Sequence, residues 1–399
     1  MKTKFLGLAI ILLLFSCKEE TKTSQNEIQQ YTIEQFMDNE AVGGGSFSAD
    51  NSNILVSSNR SGIYNVYTIP AKGGEMTAIT TSDSTSVTAL SYFPNDNRML
   101  LNADGNGDEI DHLFVRELDG TIKDITPDKG AKANFYGWSE DDKYLYFGSN
   151  KRNPKYFDTY KMSIEDYTSE MIYQDDSGLS FSGMSNDENY FALSKSLNTN
   201  DSDLFLYNVT TKETTKVNER QSGNSSEDFS KDNSTFYYTT DDGSEFAYLI
   251  SYNLETQQKK KVLEKSWDIS GASFTSQGTY MVIYVNEDGK DAIDVLDTKT
   301  MTPIDLPDFG DKSITGVRFS DDESWMRMYV GGSNAPSDLY TYNLETKEQY
   351  KLTNVLNDEI NADDLVTAKV IRYKSFDGTV IPAIYYLPKQ ASSENKVPA

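Results

Sequence analysis

The chain has 399 residues, a formal net charge of −25 and a high content of tyrosine and phenylalanine. The acidic charge argues against a nucleic-acid partner and against direct contact with anionic lipid, because both would repel it. The single cysteine, Cys17, and the single histidine, His112, exclude an internal disulfide and a Cys/His zinc site. The stretch Asp104–Asp108 looks like half a calcium loop but has Glu109 and Val115 where the loop needs Gly and Glu, and there is no phosphate-binding or dinucleotide motif. We therefore predict no metal and no cofactor.

The first residues have the pattern of a targeting signal. Two lysines precede an apolar run at residues 5–15, which is too short to span a bilayer. The run ends in Leu-Phe-Ser-Cys17, which resembles a bacterial lipobox. This resemblance implies a lipoprotein signal peptide at residues 1–16, a lipid on Cys17 as the only membrane contact, and a place in the bacterial cell envelope. The alternative is an ordinary signal peptide with an incidental cysteine.

A polar stretch at residues 17–30 follows and predicts a flexible tether. After it, an aromatic residue or methionine followed by a polar turn recurs every 45 or 46 residues. The seven anchors are Phe47, Phe93, Trp138, Met184, Phe229, Phe274 and Phe319. Each anchor leads through an Asp/Asn/Ser-rich turn to an apolar strand, then to an alternating strand and a short last strand. With the strand that carries the anchor, each unit has four strands.

The repeat predicts an all-β fold, a seven-bladed β-propeller over residues 31–353 with four antiparallel strands per blade. Radial stacking buries both faces of every sheet against its neighbours. Each unit supplies its own four strands, so we expect no shared closing blade. A solenoid is the alternative, but it needs atypical end units, and the first and last units here look like the others.

A different pattern follows the last repeat. Residues 354–368 are polar and acidic, and residues 369–388 contain two strand-like segments around Asp377-Gly378. An Asp-Gly pair between two such segments predicts a β-hairpin. Residues 354–399 are therefore assigned to a linker and a hairpin.

The hairpin sequence Ser375-Phe376-Asp377-Gly378 resembles the start of the α/β-hydrolase domain in S9 serine peptidases, the prolyl oligopeptidase superfamily. The repeats themselves resemble the propellers of that superfamily and TolB-type WD40-like propellers. The S9 resemblance implies a substrate-gating propeller in a secreted peptidase. Its C-terminal hydrolase domain, which this chain lacks, would cleave peptides by a Ser-Asp-His mechanism. The alternative is a TolB-like binding or scaffold propeller without catalysis.

The chain alone lacks the catalytic residues of such a peptidase. No serine lies in a Gly-x-Ser-x-Gly nucleophile elbow; the nearest match is Gly331-Gly332-Ser333-Asn334-Ala335, in a predicted turn. His112 begins a predicted third strand and is interpreted as a structural histidine. We therefore expect this chain not to hydrolyse peptides by itself.

Three side chains are candidates for substrate binding. Arg60, Arg152 and Tyr156 lie in predicted turns between strands. In S9 peptidases such turns face the central cavity, so the resemblance implies that these residues contact a peptide. The alternative is that they are surface residues of ordinary turns.

Overall fold

In the computed structural model, which describes residues 29–397, seven separate sheets each contain four antiparallel strands from one continuous stretch of chain. The predicted seven-bladed propeller without a shared closing blade is confirmed. A two-stranded hairpin follows the last blade, as predicted. Cys17, the predicted signal peptide and most of the predicted tether lie outside the described residues. No helix in residues 29–397 is long and apolar enough to cross a membrane.

The strands of the first four blades are numbered in chain order. They are β1 (Val42–Phe47), β2 (Asn53–Ser58), β3 (Asn65–Pro70) and β4 (Thr77–Ala78); β5 (Val87–Tyr92), β6 (Met99–Ala103), β7 (His112–Arg116) and β8 (Ile122–Asp124); β9 (Ala133–Trp138), β10 (Tyr144–Ser149), β11 (Asp158–Ser163) and β12 (Ser169–Tyr173); and β13 (Ser180–Met184), β14 (Tyr190–Ser196), β15 (Ser202–Asn208) and β16 (Thr214–Lys216).

The remaining three blades and the hairpin follow the same order. They are β17 (Asn224–Phe229), β18 (Thr235–Thr240), β19 (Tyr248–Asn253) and β20 (Lys259–Leu263); β21 (Asp268–Phe274), β22 (Tyr280–Glu287), β23 (Lys290–Asp297) and β24 (Thr302–Pro303); β25 (Ser313–Phe319), β26 (Trp325–Gly332), β27 (Ala335–Asn343) and β28 (Gln349–Lys351); and the hairpin strands β29 (Lys369–Lys374) and β30 (Val380–Tyr385). A short helix α1 (Ile33–Met37) precedes the blades and a 3₁₀ turn (Ala362–Asp364) precedes the hairpin.

The turn after the first strand of a blade is built by a serine and an aspartate. In blade 1 the Ser48 hydroxyl donates to Asp50 at 2.7 Å and accepts the Asn53 amide at 3.0 Å, while Asn51 has a positive φ of 57°. Hydrogen bonds from Ser48 and Ser52 lower the pKa of Asp50 to about 2. The same serine-to-aspartate bond recurs at Ser139, Ser185, Ser230 and Ser320. The Ser-x-Asp part of the repeat is therefore a local hydrogen-bonded turn.

The predicted anchor of blade 2, Phe93, lies one residue after the true end of the first strand. In blade 1 the first strand ends at Phe47 and the next amide, of Ser48, donates to the Asn53 carbonyl. In blade 2 the strand ends at Tyr92, and it is the Phe93 amide that donates to Arg98. Tyr92 is thus the equivalent of Phe47, and Phe93 occupies the serine position. The prediction was wrong here because two aromatic residues are adjacent.

The first strands of successive blades lie next to one another and are joined by side chains. Ser46 accepts the Tyr92 amide at 3.1 Å, and Asp228 accepts the Phe274 amide at 2.8 Å. Glu227 accepts the Ala272 amide at 2.8 Å across the same pair of blades as Asp228. Burial raises the pKa of both carboxyl groups. Each of these groups satisfies a backbone amide that its own sheet does not pair.

Blade 7 meets blade 1 without exchanging a strand. Apolar side chains of both blades form one buried cluster there: Ile54, Val56, Tyr67, Ile69, Ala71, Leu339 and Leu352. The Arg327 Nε donates to the Gly45 carbonyl at 3.1 Å, and the Thr341 hydroxyl donates to the Ala71 carbonyl. The ring is therefore closed at this seam by side-chain packing and side-chain hydrogen bonds.

The segments before and after the ring meet on one of its two faces. Val42 pairs with Ser58, so the start of a first strand and the turn between second and third strands lie at the same end of a blade. We call this end the linker face. There the Tyr31 hydroxyl donates to Asp364 at 2.7 Å, and the Glu40 amide donates to the Val355 carbonyl at 3.0 Å.

The contact between blades 7 and 1 predicts that a side chain at position 45 destabilises the protein. Its φ is +110°, and an added Cβ would lie 2.8 Å from the Cδ and Nε of Arg327, which is held by the Gly45 carbonyl. Gly45→Ala should therefore lower the free energy of unfolding by about 1–3 kcal/mol in urea titrations.

Gly43→Ala is the matched control for Gly45→Ala. Gly43 lies in the same strand, has no positive φ, and has no atom within 4 Å of the added Cβ. It should change the unfolding free energy by about 0.5 kcal/mol or less. Equal losses in the two variants would contradict the tight contact at the seam.

Candidate functional site

The linker face carries all three predicted substrate-binding residues, but it does not bring them together. Arg60 lies in the β2–β3 turn of blade 1, and Arg152 and Tyr156 lie in the β10–β11 turn of blade 3. Arg60 is 45% exposed, and its Nε is 3.9 Å from Glu40. Tyr156 is partly buried with the Lys155 ammonium 5.0 Å from its ring centre. Both side chains can be reached by a ligand, and their substrate role stays a prediction.

Arg152 is held by the protein itself. Its Nε and a terminal nitrogen donate to Asp158 at 2.7 and 2.8 Å, and it also donates to the Asp175 carbonyl at 2.7 Å. Another terminal nitrogen lies 3.0 Å from Asp176. Hydrogen bonding to Asp158 raises the pKa of Arg152. Asp158 is fully buried. Because Arg152 bonds to both Asp158 and Asp175, it joins the third strand of blade 3 to the connection that leads to blade 4.

His112 has a structural environment. Its Nδ1 lies 2.8 Å from Asp124, which also accepts the Thr126 amide at 2.9 Å. It occupies the blade position that Asn65 holds in blade 1 and Asp338 in blade 7, just before the residue whose amide donates to a threonine two residues after the fourth strand. No serine is among its hydrogen-bond partners in the described part of the chain. The imidazole therefore joins the third and fourth strands.

Ser333, from the nearest match to a nucleophile elbow, also has a structural role. Its hydroxyl accepts the Ala368 amide at 2.8 Å, and it lies in the β26–β27 turn rather than between a strand and a helix. Across residues 29–397, no group of three or more His, Cys, Asp or Glu side chains is placed to hold a metal ion. Within the described residues, His112 and Ser333 therefore do not form a nucleophile and base pair.

The hairpin lies on the linker face over blades 6 and 7. Arg372 of β29 forms an ion pair with Asp288 in the β22–β23 turn, and Ser333 holds the segment that leads into the hairpin. A pocket of about 280 Å³ lies between the hairpin and these blades. Its lining includes Lys290, Asp311, Ser313, Thr367, Ile384 and Tyr386. The sequence predicted the hairpin but not its seat on two turns that are distant along the chain.

Exposed apolar side chains are concentrated in two segments. Of the seventeen large apolar side chains that are exposed in residues 29–397, eleven belong to α1 or to residues 371–387. They are Ile33, Phe36, Met37, Ile371, Tyr373, Phe376, Val380, Ile384, Tyr385, Tyr386 and Leu387. Phe376 at the hairpin tip is fully exposed. Exposed apolar side chains concentrated in this way are typical of interaction surfaces.

The fold is that of a seven-bladed propeller domain that presents a hairpin on one face. The family model for the prolyl oligopeptidase N-terminal β-propeller domain matches residues 77–355. The chain belongs to this family. A comparison with curated proteins finds no match.

Solved structures show the same fold. A prolyl endopeptidase studied for inter-domain dynamics in catalysis and specificity has a TM-score of 0.67 and 14% identity over 89% of this chain. Prolyl oligopeptidase B from Galerina marginata has a TM-score of 0.65 and 16% identity over 90% of this chain. The same enzyme bound to a 25-residue macrocyclization substrate has a TM-score of 0.63 and 15% identity over 87% of this chain. The chain spans 55–57% of the length of these structures.

Arg152 contacts two carboxylates, the buried Asp158 and the exposed Asp176. Removing each in turn tests whether this arginine has a structural role. Asp158→Ala should lower the free energy of unfolding by about 2–4 kcal/mol, because it removes the buried acceptor of Arg152 and of the Asp175 amide. Chemical denaturation of the 399-residue chain measures this loss.

Asp176→Ala is the matched control for Asp158→Ala, because Asp176 contacts the same guanidinium but its side chain is 63% exposed. We expect it to change stability by about 0–1 kcal/mol. If the two substitutions had the same small effect, Arg152 would be free for substrate and its structural assignment would be wrong.

Proposed function

We propose that this chain is the substrate-gating propeller of a secreted serine peptidase of the prolyl oligopeptidase type. The α/β-hydrolase domain would continue the chain beyond the hairpin. The hairpin carries this proposal: it emerges on the linker face and presents Tyr373, Phe376 and Val380 to solvent. A hydrolase domain on this face would cover these side chains and close one end of the ring.

The proposal assigns catalysis to the hydrolase domain and the selection of peptides to the propeller. In residues 29–397 neither His112 nor Ser333 is placed for acyl transfer, so the nucleophile and base must come from the hydrolase domain. There a serine would attack the peptide carbonyl while a histidine takes its proton and passes it to the leaving amine. Water would then hydrolyse the acyl-enzyme. The propeller would contribute by restricting which peptides reach that centre.

The proposal includes a lipid anchor in the bacterial cell envelope, through Cys17. It is supported by the apolar run and the Leu-Phe-Ser-Cys17 pattern at the start of the chain. Metabolic labelling with a radioactive fatty acid should mark the wild-type protein, and Cys17→Ser should abolish the label. Equal labelling of the two would contradict lipidation at Cys17.

A fluorophosphonate probe, which reacts with activated serines, tests the peptidase proposal. In the native full-length product, the probe should label one serine outside residues 29–397, in a polypeptide at least about 150 residues longer than this chain. The 399-residue chain alone should neither take up the probe nor hydrolyse peptides.

A native product that ends near residue 399 and takes up no probe would contradict the peptidase proposal. That result would favour the scaffold propeller instead. The 399-residue chain serves as the matched control, because it contains every propeller residue and lacks only the proposed domain.

A further inference from the structure

Two arginines lie directly opposite each other in blade 7. Arg318 of β25 pairs with Arg327 of β26 in the antiparallel register, so their side chains project from the same face of the sheet. That face is turned to blade 1, because the Arg327 Nε donates to the Gly45 carbonyl at 3.1 Å. Like charges in directly opposed positions destabilise a sheet. A negatively charged group beside the pair would offset this repulsion.

No carboxylate of the described chain supplies this compensation. Arg60, Arg98, Arg152, Arg220 and Arg372 each have an acidic partner within 4.0 Å. Within residues 29–397 the side chain of Arg318 has neither an ion pair nor a hydrogen bond, and that of Arg327 contacts only the Gly45 carbonyl and the ring of Tyr329, at 5.2 Å. The chain has 62 acidic residues, yet none of those within residues 29–397 forms an ion pair with either arginine.

Both arginines are charged at neutral pH, although they differ in burial. Burial lowers the pKa of Arg327 to about 10, which leaves the guanidinium protonated at neutral pH. Arg318 is exposed. On the facing strand β1, Gly45 has no side chain, and the Arg327 side chain takes the place that a Cβ would occupy. Since β1 and β25 are first strands, the pair lies where the blades converge on the central channel.

We propose that Arg318 and Arg327 form a carboxylate-binding site on the channel wall at the seam between blades 7 and 1. Guanidinium groups bind carboxylates through paired, charge-assisted hydrogen bonds, and a bound carboxylate would offset the repulsion between the two arginines. The ligand class is a peptide carboxylate, from an acidic side chain or a free C-terminus. The inference that the carboxylate belongs to a peptide rests on the proposed function, whereas the inference of an anion site does not.

Calorimetric titration of the 399-residue chain tests the site with three peptides of one length. An acetylated alanine pentapeptide with a free C-terminus and an amidated version with a central glutamate each carry a carboxylate; the amidated all-alanine peptide carries none. We expect either or both acidic peptides to bind at least about tenfold more tightly than the neutral one. The tighter of the two identifies the source of the carboxylate. Equal affinity for all three would overturn the proposal.

Arg318→Gln should weaken the acidic peptides about tenfold or more. It should leave the melting temperature of the unliganded protein unchanged or higher, because a like-charge contact is removed. Arg220→Gln is the charge-matched control, since it removes a largely exposed arginine that pairs with Asp242, and should leave affinity unchanged.

Unchanged affinity in Arg318→Gln, or an equal loss in Arg220→Gln, would overturn the proposed site. The titration needs no hydrolase domain. Failure of the fluorophosphonate test with intact carboxylate binding would therefore reject the peptidase proposal alone. Failure of the titration with successful labelling would reject the carboxylate site alone.

Discussion

The contact between blade 7 and blade 1 is the interaction on which the ring depends. Each blade buries its faces only against its neighbours, so the ring persists only if its two ends meet. No strand crosses this seam, and closure rests on a cluster around Ile54 and Leu339, with Arg327 bonded to Gly45. A ring closed by side chains can hold polar groups at its seam, as the opposed Arg318 and Arg327 show.

The linker face holds the segments outside the blades. Segments 31–40 and 355–364 hydrogen-bond to each other on the linker face, and the hairpin rests there on the turns that contain Asp288 and Ser333. A domain that follows Leu387 would start beside the mouth of the channel. This placement connects the family membership of the chain to the proposed gating role, because substrate entering through the ring would arrive at that domain.

Local patterns were predictable from the sequence, and contacts between distant segments were not. The Ser-x-Asp turn of five blades needs only residues close together in the chain. The anchors before these and the other turns recur every 45 or 46 residues, and this spacing predicted seven blades. The error at Phe93 came from a local ambiguity between adjacent aromatics. Arg152 was not predicted to be engaged, because its bond to the Asp175 carbonyl depends on how the connection to blade 4 returns past the turn. Likewise, the opposition of Arg318 and Arg327 depends on a strand register that no short motif records.

Amide hydrogen exchange of residues 369–385 tests most directly the central claim, that the propeller serves a domain docked on its linker face. The measurement compares the native full-length product with the 399-residue chain. The account predicts slow exchange of the hairpin amides in the full-length product and much faster exchange in the shorter chain, because a docked domain would cover the apolar strands. Equal exchange in both, with the hairpin unprotected, would contradict it.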